Sequence, residues 1–176
     1  MREFPQRLFG AMFLNAATYE RIEADPTAIR QAILVVAAFA IAAGVGLTWP
    51  APAPRALIVG IAASLTGWLS WAALVYYLGV HVFPAPETRG DIGQLARTIG
   101  FSAAPGVFAV LLAVPVIRPA VVAAISLWML AAMVVAVRQA LDFTHTVRAV
   151  GVCAAGWALV ALFALILGTV FGSTVS

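Results

Sequence analysis

The stretch AVVAAISLWMLAAMVVAVRQAL, residues 120–141, carries no charge until Arg138. As a helix it would be about 33 Å long, enough to cross a hydrocarbon core of about 30 Å. Four more apolar runs resemble it, at residues 31–49, 56–83, 94–117 and 147–171. Together they nearly exhaust a chain of 176 residues. The fold class expected is therefore all-α: a polytopic membrane protein of five transmembrane helices, preceded by a short N-terminal amphipathic interfacial helix. Residues 1–25 form the cytoplasmic or interfacial lead-in, and residues 26–176 form the five-span domain.

Composition points the same way. Hydrophobic residues make up 64% of the chain and charged residues 10%, against about 25% charged in soluble domains. All ten basic residues are arginines, and they sit near the ends of the apolar runs rather than in a patch. The net charge of +3 thus reads as a topology signal, and no nucleic-acid partner is expected. With the N-terminus inside, eight arginines (Arg2, Arg7, Arg21, Arg30, Arg89, Arg97, Arg138 and Arg148) fall on the cytoplasmic side. Arg55 and Arg118 fall outside. The positive-inside rule then puts the N-terminus in the cytoplasm and the C-terminus outside.

In the lead-in, Leu8, Phe9, Met12, Phe13, Ala16 and Tyr19 recur at three- and four-residue steps. This pattern suits one helix over residues 4–24, lying in the interface or packed on the bundle. Asp25-Pro26 starts the next helix. No signal peptide is expected, because the first apolar run begins only near Gln31 and Pro54 follows the Ala51-Pro52-Ala53 mimic of a cleavage site. The third run contains Pro105-Gly106, the candidate kink, where Ser102 is placed to repair the broken ladder.

Features able to carry chemistry are few. Arg138 and Asp142 stand four residues apart at the inner end of the fourth run, spaced for an ion pair. His145 and Arg148 continue this edge, and His81 ends the second run on the same side. Two histidines in different segments lack metal-ligand spacing, so no metal is expected. Cys153 is the single cysteine, and no cofactor is called for. Hydrolase, zinc-protease and nucleotide-binding motifs are absent, and the chain reads as non-enzymatic. Small-residue pairs, Gly60 with Ser64, Ala63 with Gly67, Gly151 with Ala155 and Gly168 with Gly172, read as packing between helices of the chain itself. Trp68 and Trp71, in the middle of the second run, are read as gap fillers among small neighbours.

The order of parts resembles the bacterial branch of the Yip, or Ypt-interacting protein, domain family of membrane proteins. The resemblance rests on the lead-in with Asp25-Pro26, on the segment from Arg97-Thr98-Ile99-Gly100 through Ala104-Pro105, and on Val137-Arg138-Gln139-Ala140-Leu141 followed by Val147-Arg148-Ala149-Val150. It spans about residues 8–171. It implies five spans with the N-terminus inside and the C-terminus outside, in a bacterial cytoplasmic membrane, and carries over no catalytic residue. The D-L-Y-G-P motif typical of eukaryotic members is absent.

The function expected is a membrane scaffold or organiser, or an accessory subunit of a larger membrane complex. Membrane lipids and a membrane-protein partner or second copy are the expected partners. The candidate surface for a partner or lipid headgroup is Arg89, Arg97, Arg138, Asp142, His145 and Arg148. The alternative is a small-molecule or lipid transporter whose Pro105-kinked third span lines the path.

Overall fold

The computed structural model describes residues 3–172 except 85, 87 and 89. Among these it is mostly helical, with no strand. The lead-in is two helices rather than one: α1 (Phe4–Met12) and α2 (Ala16–Ala24). Leu14, at φ 57, breaks the periodicity, and the Asn15 side chain accepts from Thr18 N at 3.1 Å to start α2. Gly10 lies against Thr18, where any Cβ would overlap the threonine side chain, so the pair folds back as a tight hairpin. Buried Tyr19 ties it by donating to the Ala11 carbonyl at 3.3 Å.

Five helices are long and apolar enough to cross a membrane. The first is α3 (Ala28–Thr48), preceded by Asp25, which accepts from Thr27 N at 2.9 Å. The second is α4 (Pro54–Tyr77), running on through a π-helical turn over Leu78–Val82. Its 29 residues exceed what the bilayer requires, so it tilts or projects.

The third span starts as α5 (Ile92–Ser102), opened by a capping box between Asp91 and Gln94. The sequence predicts a kink at Pro105-Gly106; the helix instead stops at Ser102 and continues as a 3₁₀ segment, Ala104–Ala113. Pro105 has no N–H to extend the α ladder. Ser102 Oγ donates to the Ile99 carbonyl at 2.7 Å, and Gly106 N bonds the Ala103 carbonyl at 2.9 Å. The 3₁₀ rise of about 2.0 Å per residue lets this span still cross the membrane. It ends at Ala113, short of the expected residue 117, because extended Val114 breaks it. The fourth span therefore begins earlier than residue 120, at Pro115, and contains α6 (Arg118–Ala140). The last helix is α7 (Thr146–Gly172).

The third span is the centre of the bundle: 78% of it is buried, against 17–28% of the other four. Its small residues allow that. Gly100 sits under Ala32 of α3 and the Trp68 ring, and Gly106 sits under Phe39, with no room at either for a Cβ. Backbones approach closely at such places, which is how helices associate in lipid. Trp68 adds a hydrogen bond from Nε1 to the Ala96 carbonyl at 3.0 Å. Hence Trp68 is a tie between α4 and α5 as well as a gap filler.

Other small-residue pairs behave differently from the expectation. Gly60, Gly67 and Gly151 face open space, with nothing within 4 Å of a Cβ placed there. They do not pack against other helices of this chain. On α7 the half near its start is held by buried Ala149, Val152 and Cys153, whereas residues 157–166 are exposed. The Gly168 and Gly172 pair falls where side chains lie outside the described residues.

Candidate functional site: the arginine-rich end of the bundle

The α1–α2 hairpin packs on α5 and α6, and its polar side chains fasten it there. Gln139 donates to Glu20 Oε1 at 2.8 Å, and Gln94 to Glu23 Oε1 at 3.0 Å. Arg97 Nη2 donates to the Glu23 carbonyl at 2.6 Å. Arg7 makes ion pairs with Asp25 at 2.7 Å and with Glu3 at 2.9 Å. At the far tip, Trp128 Nε1 donates to the Met12 carbonyl at 2.7 Å, and Phe4 meets Phe101 edge to face at 6.4 Å. The hairpin thus lies along α6 over the twelve residues from Trp128 to Gln139, eleven rises or about 16 Å.

The electrostatics of this latch are uneven. Burial, then the nearby Asp142 carboxylate, pushes the Glu23 carboxyl up to about 7, although Arg97 opposes the change. Asp25 moves the other way, to about 2, because the Thr27 hydroxyl and then Arg7 bond its charged form.

Of the residues singled out from the sequence, Arg89 lies outside the described residues. Arg97 is only 9% exposed; it faces the hairpin and is not displayed on the surface. Arg138 is half-buried and donates to Thr146 Oγ1 at 3.4 Å. It makes no ion pair with Asp142 among the described residues, because α6 ends at Ala140 and Asp142 adopts φ 53. The helical four-residue spacing is lost at that point. Asp142, His145 and Arg148 are exposed. His81 stacks on Tyr77 at 5.3 Å instead of joining them. No three His, Cys, Asp or Glu side chains converge among the described residues.

Arg148 marks a notch at this end. A cleft of about 380 Å³ lies beside it, walled by Phe83, Pro84, Val147, Gly151 and Val152. Its guanidinium has no acidic partner among the described residues. An exposed cation above apolar walls suits an anionic group carried on a hydrophobic body. Pro105 and Gly106 line neither this cleft nor a larger one between the spans. Both are buried.

The hairpin latch escapes sequence reading because Glu20, Glu23, Gln94 and Gln139 look like ordinary solvated residues at helix ends. The available signal was an amide matched to each carboxylate across distant segments, and only the fold pairs them.

No curated protein and no solved structure matches the chain. The family model for the Yip1 domain matches residues 9–168, from the tip-bearing helix α1 through α7. With that match over nearly all of a five-span helical bundle, the chain belongs to the Yip1 domain family.

Proposed function

We propose that this protein is a non-enzymatic membrane organiser, or an accessory subunit of a membrane complex, that engages its partners at the arginine-rich end. The observation that carries this reading is the exposed Arg148 over its apolar cleft, without an acidic partner among the described residues, next to exposed His145 and Asp142. In this reading the end faces the cytoplasm of a bacterial cell, where the positive-inside rule and anionic leaflet lipids both favour it. The buried latch of Arg97 with Glu23 holds the hairpin so that the Arg148 edge keeps its shape. A transport path at the Pro105-Gly106 disturbance is not favoured, since both residues are buried and line neither of the two clefts.

The test is purification in gentle detergent from the source membrane, with wild type and Arg148→Ala compared for co-eluting protein and anionic lipid. Arg148→Ala is expected to lower recovery of a stoichiometric companion at least several-fold, with elution and helicity unchanged. Equal recovery from both would refute the proposal.

A further inference from the structure

A second cavity in the bundle is larger than the Arg148 notch and shares no lining residue with it. It measures about 720 Å³ and is partly open. Every residue lining it belongs to the membrane-spanning helices, and none is charged. Its lining includes a rung between α4 and α6: Trp71 Nε1 donates to Met133 Sδ at 2.9 Å, and Trp157 of α7 lies 5.1 Å from the Trp71 ring.

Heights on the two walls can be counted from that rung. Helices α4 and α6 run in the same direction. Ser64 stands seven residues before Trp71, and Ser126 seven before Met133. Equal rises of about 10 Å put the two residues at matching heights on α4 and α6. Both line the cavity. Several other hydroxyls in the spans are satisfied within their own helix: Thr48 bonds the Gly44 carbonyl at 2.7 Å, Thr98 the Gln94 carbonyl at 3.0 Å, and Ser102 the Ile99 carbonyl at 2.7 Å. Ser64, Ser70 and Ser126 make no such bond among the described residues. A donor without an acceptor in hydrocarbon costs free energy, so a ligand with an acceptor at this height is favoured.

We propose that this cleft binds a lipid quinone, an uncharged ring bearing carbonyls on a hydrocarbon tail. The lack of charge disfavours phosphate, carboxylate and ammonium heads. Depth disfavours an ordinary phospholipid: Ser64 lies ten residues, about 15 Å, beyond the start of α4 at Pro54, near the middle of a core of about 30 Å. Headgroups and ester carbonyls of bilayer lipids stay at the edges, whereas a neutral quinone ring reaches mid-depth. Its carbonyls accept from the two serines, and its flat ring matches the indole faces of Trp71 and Trp157. The volume falls within the range of about 300–1,000 Å³ common for small-molecule sites.

The test uses the full chain in phosphatidylcholine nanodiscs, titrated with decyl-ubiquinone while tryptophan fluorescence is followed. Brominated phosphatidylcholine serves as the bulk-lipid control. Wild type is expected to show a saturable component beyond the linear quenching that partitioning alone produces. Ser64→Ala/Ser126→Ala should weaken it about ten-fold, as expected for two lost hydrogen bonds. Gly67→Phe should abolish it by filling the cleft, which Gly67 lines and where nothing lies within 4 Å of an added Cβ. Purely linear quenching in wild type, like that by the brominated lipid, would show that bulk acyl chains alone fill the cleft and would overturn the proposal. So would a saturable component unchanged in the serine double variant.

Discussion

Raising the pH from 5 to 8 should loosen the α1–α2 hairpin, and Glu23 is the reason. Its carboxyl moves from an ordinary 4.5 up to about 7 in the docked hairpin, chiefly through burial. A carboxyl whose value rises on docking favours docking fully below its free value. That contribution is lost as the pH climbs through the docked value, here from about 4.5 to about 7. Taken whole, the change corresponds to about 3.4 kcal/mol. Glu23 is only half-buried, and solvent screening reduces the figure to about 1–2 kcal/mol. The open fraction of the hairpin should therefore grow about 5- to 30-fold across this range. Hydrogen exchange of the α2 amides, corrected for intrinsic rates, reads this directly. Glu23→Gln keeps the acceptor for Gln94 but cannot ionise, so its exchange should be flat with pH. A flat wild-type profile, or a Glu23→Gln profile as steep as wild type, would refute the reasoning. Asp25 acts in the opposite sense. Its docked value of about 2 lies below the free 3.8, so its support is present above about 3.8 and is lost as pH falls toward 2.

Packing of the third span gives further expectations, each read by thermal unfolding in nanodiscs. Trp68→Phe removes the bond to the Ala96 carbonyl and should cost about 0.6–1.7 kcal/mol, the range for polar ties between membrane helices. Gly100→Leu places a Cβ 2.7 Å from Ala32 Cβ and 3.1 Å from the Trp68 ring, and should cost about 1–3 kcal/mol or more by overpacking. Gly151→Ala meets nothing within 4 Å and should leave the fold intact or stabilise α7 by up to about 1 kcal/mol. A loss of stability in that variant would place an unseen partner against α7.

Much of the fold was legible because hydrocarbon imposes one rule on every span: long apolar runs form helices whose backbone bonds are internal. The five runs and Asp25 near the start of α3 follow from it, whereas the break expected at Arg118-Pro119 falls earlier, at extended Val114. What was hidden depends on single backbone choices. Leu14 takes positive φ and turns one amphipathic pattern into a hairpin. Asp142 does the same and separates itself from Arg138. Neither has the glycine that would announce such a conformation. The 3₁₀ course after Ser102 was legible as a disturbance at Pro105 but not in its length. For the candidate site, Arg148 and His145 are exposed as their position at a helix start suggests. Arg97 is not, because the carbonyl at the end of α2 captures it. Small-residue spacing alone could not separate Gly100, which packs, from Gly60, which does not. The difference lies in which face meets a neighbour, and pattern is silent on that.

The most direct test of the central claim is site-specific photocrosslinking in native membranes. One probe replaces Val147, 79% exposed beside Arg148, and another replaces Val116, 91% exposed at the opposite end. The account predicts a discrete protein adduct from position 147 that fades with Arg148→Ala, and only lipid adducts from position 116. Adducts of equal yield from both ends, or a 147 adduct indifferent to Arg148→Ala, would contradict it.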